Sequence, residues 1–98
     1  MEFLADMITT VPAGTSDETV EDTKAREALR ARELTDQGHL LRLWKPPAVD
    51  GEWRTWGLFR AQDEAQLLDL LDSLPLHPWM HVDVTPLAAH PNDPGSTR

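Results

Sequence analysis

The chain has 98 residues, 40% of them hydrophobic and 27% charged, and carries a formal net charge of −8. That is enough for one small domain with a single core, and the acidic balance argues against a nucleic-acid partner or an anionic membrane surface. With no cysteine, disulfides, thiolate metal sites and thiol nucleophiles are excluded.

Residues Glu2 to Thr10 alternate, with Phe3, Ala5 and Met7 on one side and Leu4, Asp6 and Ile8 on the other. This period of two predicts a first strand with both faces at least partly covered. Val11-Pro12-Ala13-Gly14 breaks it. Thr15 to Gly38 then reads as one amphipathic helix: Thr15 and Glu18 have the form of a capping box, acidic residues crowd the first turn, and Gly38 is the stop. At 100° per residue Val20, Lys24, Glu27, Ala31 and Leu34 project within about 80° of one another. Lys24 and Glu27 are thus two ionisable side chains in the middle of an apolar arc, three residues apart and within mutual reach.

His39 to Lys45 predicts a second strand, with Leu41 and Leu43 on one face and Leu40, Arg42 and Trp44 on the other. Pro46-Pro47 and Asp50-Gly51 mark a loop, so Trp53 to Phe59 should return as the third strand of a hairpin. Asp63 with Gln66 can cap a second helix rich in leucine that Pro75 closes. Leu76-His77-Pro78 turns the chain into a fourth strand over Trp79 to Thr85, with Met80, Val82 and Val84 on one face. The β-α-β-β-α-β order with right-handed crossovers predicts an α+β, ferredoxin-like sandwich: a four-stranded antiparallel sheet with two helices on one face. The domain spans residues 1–85, and 86–98 form an irregular tail expected to pack on a neighbouring subunit. The uncovered sheet face would carry Leu4, Ile8 and Trp44, an apolar area of the kind that marks association. No apolar run approaches the roughly 18 residues of a membrane span and no signal-peptide core opens the chain, so the expected location is cytoplasmic.

Lys24 and Glu27 admit two readings. In one, the helix is slightly rotated, the lysine snorkels and the glutamate makes a rim salt bridge. In the other, a carboxylate in a partly apolar pocket beside a cation is a general base tuned for proton transfer. His39, His77, His81 and His90 are scattered without metal-ligand spacing, so no metal is expected, and there is no P-loop or dinucleotide glycine fingerprint to hold a cofactor. Arg42 and Arg54, on adjacent strands, could bind a substrate carboxylate or simply belong to a solvated strand face. The four tryptophans, Trp44, Trp53, Trp56 and Trp79, are of a residue type more often found in a core or an interface than as a ligand platform.

Four stretches in register carry a family resemblance: T-K-A-R-E at Thr23 to Glu27, L-W-K at Leu43 to Lys45, S-L-P-L-x-P at Ser73 to Pro78, and H-P at His90-Pro91. Together they resemble muconolactone Δ-isomerase over nearly the whole chain. The resemblance implies a ferredoxin-like homo-oligomer that dimerises sheet to sheet and assembles into a ring-like decamer. It implies cofactor-free conversion of muconolactone, a small lactone carboxylate, to 3-oxoadipate enol-lactone in bacterial aromatic catabolism. It also places the family's proton-transfer lysine and glutamate on Lys24 and Glu27, leaves Arg42 or Arg54 to hold the substrate carboxylate, and lets the tail around His90 close a site. The chain departs from the family pattern at Ala28, where a second lysine is common, at Leu41-Arg42, where an Arg-His pair is common, and at Thr55 and Gly57, where Asn-x-Ser is common. These departures keep open a chloromuconolactone dehalogenase, an isomerase of another lactone, or a non-catalytic oligomeric binding protein.

Overall fold

The computed structural model describes residues 1–47, 49 and 51–95. Asp50 of the expected Asp50-Gly51 turn and residues 96–98 of the expected tail lie outside the described residues. The elements run β1 (Glu2–Thr9), α1 (Asp17–Asp36), β2 (Leu40–Trp44), β3 (Trp53–Arg60), α2 (Glu64–Asp72), a 3-10 turn (His77–Trp79) and β4 (Met80–Leu87). The strands form one antiparallel sheet in the order β2-β3-β1-β4, as the expected ferredoxin-like arrangement requires. No helix among the described residues is long and apolar enough to cross a membrane.

Period-two alternation builds the core. Phe3, Ala5 and Met7 of β1 are buried with Phe59 of β3, Leu34 of α1, and Leu67 and Leu71 of α2 in one cluster, with Met80, Val82 and Val84 packed against it. Both helices therefore cover the same face. Fully burying one such leucine or phenylalanine is worth about 1.5–3 kcal/mol, so this cluster supplies the main stabilisation of the domain. On the opposite face Leu4, Asp6 and Ile8 are only partly buried, and Trp44 and Trp56, paired across β2 and β3, are each 39% exposed.

The local signals of α1 and β2 differ from expectation in three places, and β4 runs from Met80 to Leu87, not from Trp79 to Thr85, so that Pro86 and Leu87, expected in the tail, pair with Phe3 and Glu2. The N-cap of α1 is Ser16, not Thr15: the Ser16 hydroxyl accepts the Thr19 N–H at 3.1 Å, while Thr15 donates to the Pro12 carbonyl at 2.7 Å. Both residues have the chemistry of a cap, and the turn at Thr15 claims its hydroxyl first. Second, α1 is rotated, so Thr23 (4% exposed) and Leu34 (0%) are its buried positions and Lys24 lies at the edge. Thr23 tolerates burial because its hydroxyl donates back to the Thr19 carbonyl at 2.7 Å. Third, β2 is not regular. Its pairing with β3 shifts between Leu40 and Arg42, which identifies Leu41 as the extra residue of a β-bulge. Leu40 and Leu43 consequently share the helix-covered side and Trp44 the open side, replacing the alternation expected from the sequence.

The Asp63 cap forms as expected, accepting the Gln66 N–H at 2.8 Å. After β4 the chain runs out along the surface, and every described residue from Thr85 to Gly95 is exposed. The molecule is elongated, with extents of 53 × 29 × 20 Å.

Candidate active site

A cavity of about 260 Å³ lies between α1, the sheet and the segment joining α2 to β4. Its walls are mostly apolar: Met7, Leu40, Leu43, Phe59, Leu76 and Met80. Four polar side chains reach it, Lys24 and Glu27 from α1, Thr9 from β1 and Thr55 from β3, with Trp53 at one side. The two charged residues picked out by helical periodicity therefore do line one pocket.

Glu27 is held there by the main chain. Its Oε1 accepts the Leu76 N–H at 2.9 Å, across 49 residues of sequence. Burial pushes the Glu27 carboxyl above its ordinary value of 4.5, and the Leu76 hydrogen bond, which favours the ionised form, offsets only part of that rise. A half-buried carboxylate in an apolar wall, fixed through one oxygen, leaves the other oxygen for a proton. Geometry and basicity both suit a general base.

Lys24 does not pair with Glu27. Its Nζ is 3.6 Å from Glu21 on the solvent side and 5.7 Å from the centroid of the Trp53 ring. The rotation of α1 explains this: the lysine stem lies along Trp53 and the ammonium snorkels outward, while the glutamate turns in toward the Leu76 amide. The expected contact is thus replaced by two residues that share a cavity and face different partners.

None of the other expected site residues lines the cavity itself. Arg42 stands over Trp44 at 5.2 Å, on the open sheet face. Arg54 leaves the sheet on that face as well, 3.3 Å from Asp6 and 3.5 Å from Glu52, and borders a depression shared with Lys24 and Trp53. Two carboxylates already answer its charge. His90 lies in the tail, where its Nδ1 accepts the Asn92 N–H at 2.9 Å beside Glu2 at the start of β1. That is the opposite end of β1 from Met7 and Thr9 of the cavity. Among the described residues no group of three His, Asp or Glu is placed to hold a metal.

Sequence reasoning gave no role to the Leu76 amide or to Lys45, although both lie in stretches it singled out, S-L-P-L-x-P and L-W-K. A backbone donor has no residue signature; the only legible hint was that Pro75 and Pro78 stiffen the segment around it. Lys45 sits at a second depression of about 460 Å³ together with Lys24, Glu52, Trp53, Arg54 and Thr55. Lys24, Trp53 and Thr55 line both spaces, so the depression is the mouth of the cavity.

A family model described as muconolactone delta-isomerase matches residues 1–93. The chain belongs to the muconolactone Δ-isomerase family. The muconolactone Delta-isomerase of Cupriavidus pinatubonensis is 35% identical over 92 residues, covering 94% of this chain and 97% of that one. Muconolactone Delta-isomerase 1 of Acinetobacter lwoffii is 30% identical over 94% and 93% of the two chains. A crystal structure of muconolactone isomerase superposes with a TM-score of 0.86 at 28% identity, over 99% of this chain and 98% of the other. The 5-chloro-2-hydroxyhydroquinone dehydrochlorinase of Burkholderia phenoliruptrix matches with a TM-score of 0.64 at 13% identity, over 92% and 96%, and shares the fold. Family and fold are those the four sequence stretches implied, and membership of the muconolactone Δ-isomerase family marks the chain as an isomerase.

Proposed function

We propose that this chain isomerises muconolactone to 3-oxoadipate enol-lactone, with Glu27 as the group that moves the proton. The observation that carries the reading is the Glu27 carboxylate: set in an apolar wall, raised in basicity by burial, and anchored by the Leu76 N–H at 2.9 Å. Shifting the lactone double bond removes a proton from one ring carbon and returns a proton two atoms along. Glu27 accepts the first proton, and the electron pair left behind delocalises through the double bond onto the lactone carbonyl oxygen. The protonated Glu27 then gives its proton back at the second carbon and the double bond reforms in its new place. No net proton or electron is exchanged, so no further reagent is required. A carboxyl with a raised pKa suits both halves, because it holds the proton between them. Lys24, the cationic residue among the described lining residues of the cavity, supplies positive potential to the oxygen on which charge develops.

The open sheet face supports a sheet-to-sheet dimer. It presents a groove of about 450 Å³ lined by Leu4, Trp44, Pro46, Pro47 and Trp56, an apolar surface of the type buried on association. Dimers of this kind would assemble into the ring-like decamer, and the exposed segment after residue 85 would pack on a neighbouring subunit, bringing His90 to a site it does not reach in its own chain. Aromatic catabolism by such an enzyme is cytoplasmic. The test is turnover of muconolactone by the purified protein, followed in the ultraviolet, with 5-chloromuconolactone and a chloride electrode in parallel. Isomerisation without chloride release is the expected result. Chloride release with no isomerisation would reassign the chain as a dehalogenase, and inertness toward both would remove the catalytic reading.

A further inference from the structure

The bulge at Leu41 has a bearing on substrate choice. Strand alternation carried from buried Leu40 without interruption would turn residues 41, 43 and 45 to the open face. The extra residue reverses the phase beyond it: Leu43 lines the cavity, Trp44 lines the open-face groove, and Lys45 returns to the mouth. Bulges commonly re-aim a side chain beside a site in this way. The result is a mouth with two ammonium groups, Lys24 and Lys45, above a cavity whose floor is apolar. Of the other charges there, Arg54 and Glu52 answer each other at 3.5 Å, and Arg54 is also met by Asp6. Lys24 has its Glu21 contact at the exposed rim, where the two side chains are 49% and 73% accessible. Lys45 has no ion pair among the described residues. Its stem also borders the open-face groove beside Trp44, so it stands at the corner between the two surfaces.

We propose that Lys45, turned to the mouth by the Leu41 bulge, binds the carboxylate arm of the substrate while the ring enters the cavity. This rests on the isomerase reading and deepens it. It assigns the carboxylate contact to Lys45 in place of Arg42 and Arg54, and it defines the ligand class as a compact apolar ring carrying one anionic arm. The length of a lysine side chain suits an arm that stays outside the cavity, and the Trp53 ring forms the wall between arm and ring sites.

The experiment compares the parent with Lys45→Ala, Lys45→Arg and Arg42→Ala, using muconolactone and its methyl ester. Binding is measured by calorimetry in a Glu27→Gln background, so that it does not depend on turnover. Losing a charge-assisted contact corresponds to a roughly tenfold to hundredfold weakening. Lys45→Ala should weaken the acid by that factor, leave the ester unchanged, and be rescued by Lys45→Arg, while Arg42→Ala, which borders neither the cavity nor its mouth, binds as the background does. In the turnover assay Lys45→Ala should raise KM with little change in kcat. Equal binding of acid and ester, no binding of either, or a Lys45→Ala variant with unchanged affinity overturns the assignment. An unchanged KM in a protein that does isomerise muconolactone would leave the function standing and remove Lys45 from it. Lysine-dependent binding of the acid in a parent that does not turn it over would do the reverse.

Discussion

Replacing Glu27 separates its chemistry from its structural role, because the two depend on different atoms. In Glu27→Gln the side-chain carbonyl oxygen can still accept the Leu76 N–H at 2.9 Å, but the amide cannot take a proton from carbon. General-base contributions are about 10²–10⁴-fold, so kcat on muconolactone should fall by that factor with the fold intact. Glu27→Ala removes the acceptor too. A partly buried N–H left without a partner costs about 1–3 kcal/mol, which in a domain of this size is a melting shift of roughly 4–8 °C per kcal/mol. The two variants should therefore match in lost activity and differ in melting temperature, compared at one protein concentration. Acidity adds a signed check. The folded pKa of Glu27 lies above its unfolded value, so the protonated form favours the folded state. The parent should be most stable relative to Glu27→Gln below the ordinary carboxylate range, and should lose that advantage as pH rises through the folded pKa. In turnover, the acidic limb of the parent's kcat/KM should lie above that same ordinary range. Thermal melts and initial rates across pH read all of this. A Glu27→Gln protein retaining more than a tenth of parental activity would refute the role of the carboxylate.

A Cβ at Gly57 would stand 2.7 Å from Phe59 Cε1, 3.1 Å from Met7 Cε and 3.3 Å from Leu43 Cδ2, so Gly57→Ala should cost about 1–3 kcal/mol by overpacking; an unchanged denaturation midpoint would mean that the ring moves aside freely. Ser16→Ala should cost about 0.5–2 kcal/mol through loss of the α1 cap and Thr15→Ala distinctly less, and the opposite order in chemical denaturation would contradict the observed cap. Trp56→Asp, on the open face, should reduce the assembled mass measured by light scattering without changing the far-ultraviolet dichroism. An unchanged mass would place the subunit contact elsewhere.

The architecture was legible because each signal it needs is local and repeated. Phe3, Ala5 and Met7 declare a strand face, Pro46-Pro47 and Gly51 declare a reversal, and Asp63 with Gln66 declares a helix start. What escaped depends on relations between segments. The cap was displaced by one residue because Thr15 and Ser16 are chemically equivalent candidates, and only the bond from Thr15 to the Pro12 carbonyl decides between them. The faces of β2 were misread because a bulge is a property of the pair with β3 and leaves no mark in HLLRLWK itself. Glu27 and Lys24 were found by periodicity, yet their partners were not: one is a distant peptide group, the other Glu21 and the Trp53 ring. Arg42 and Arg54 looked available by charge alone; the phase of Arg42 relative to the cavity depends on the bulge, and the charge of Arg54 is met by Asp6 and Glu52.

That the Glu27 carboxylate is held by a peptide group has a consequence for how such a site can change over generations. Any amino acid other than proline supplies the same N–H at position 76. The Leu76 side chain, by contrast, is 4% exposed and forms part of the cavity wall. Mutation at this position can therefore reshape the cavity while the Glu27 carboxylate keeps its tether. The shape of the wall and the anchoring of the carboxylate are carried by different atoms of one residue, and natural drift can explore the first without disturbing the second.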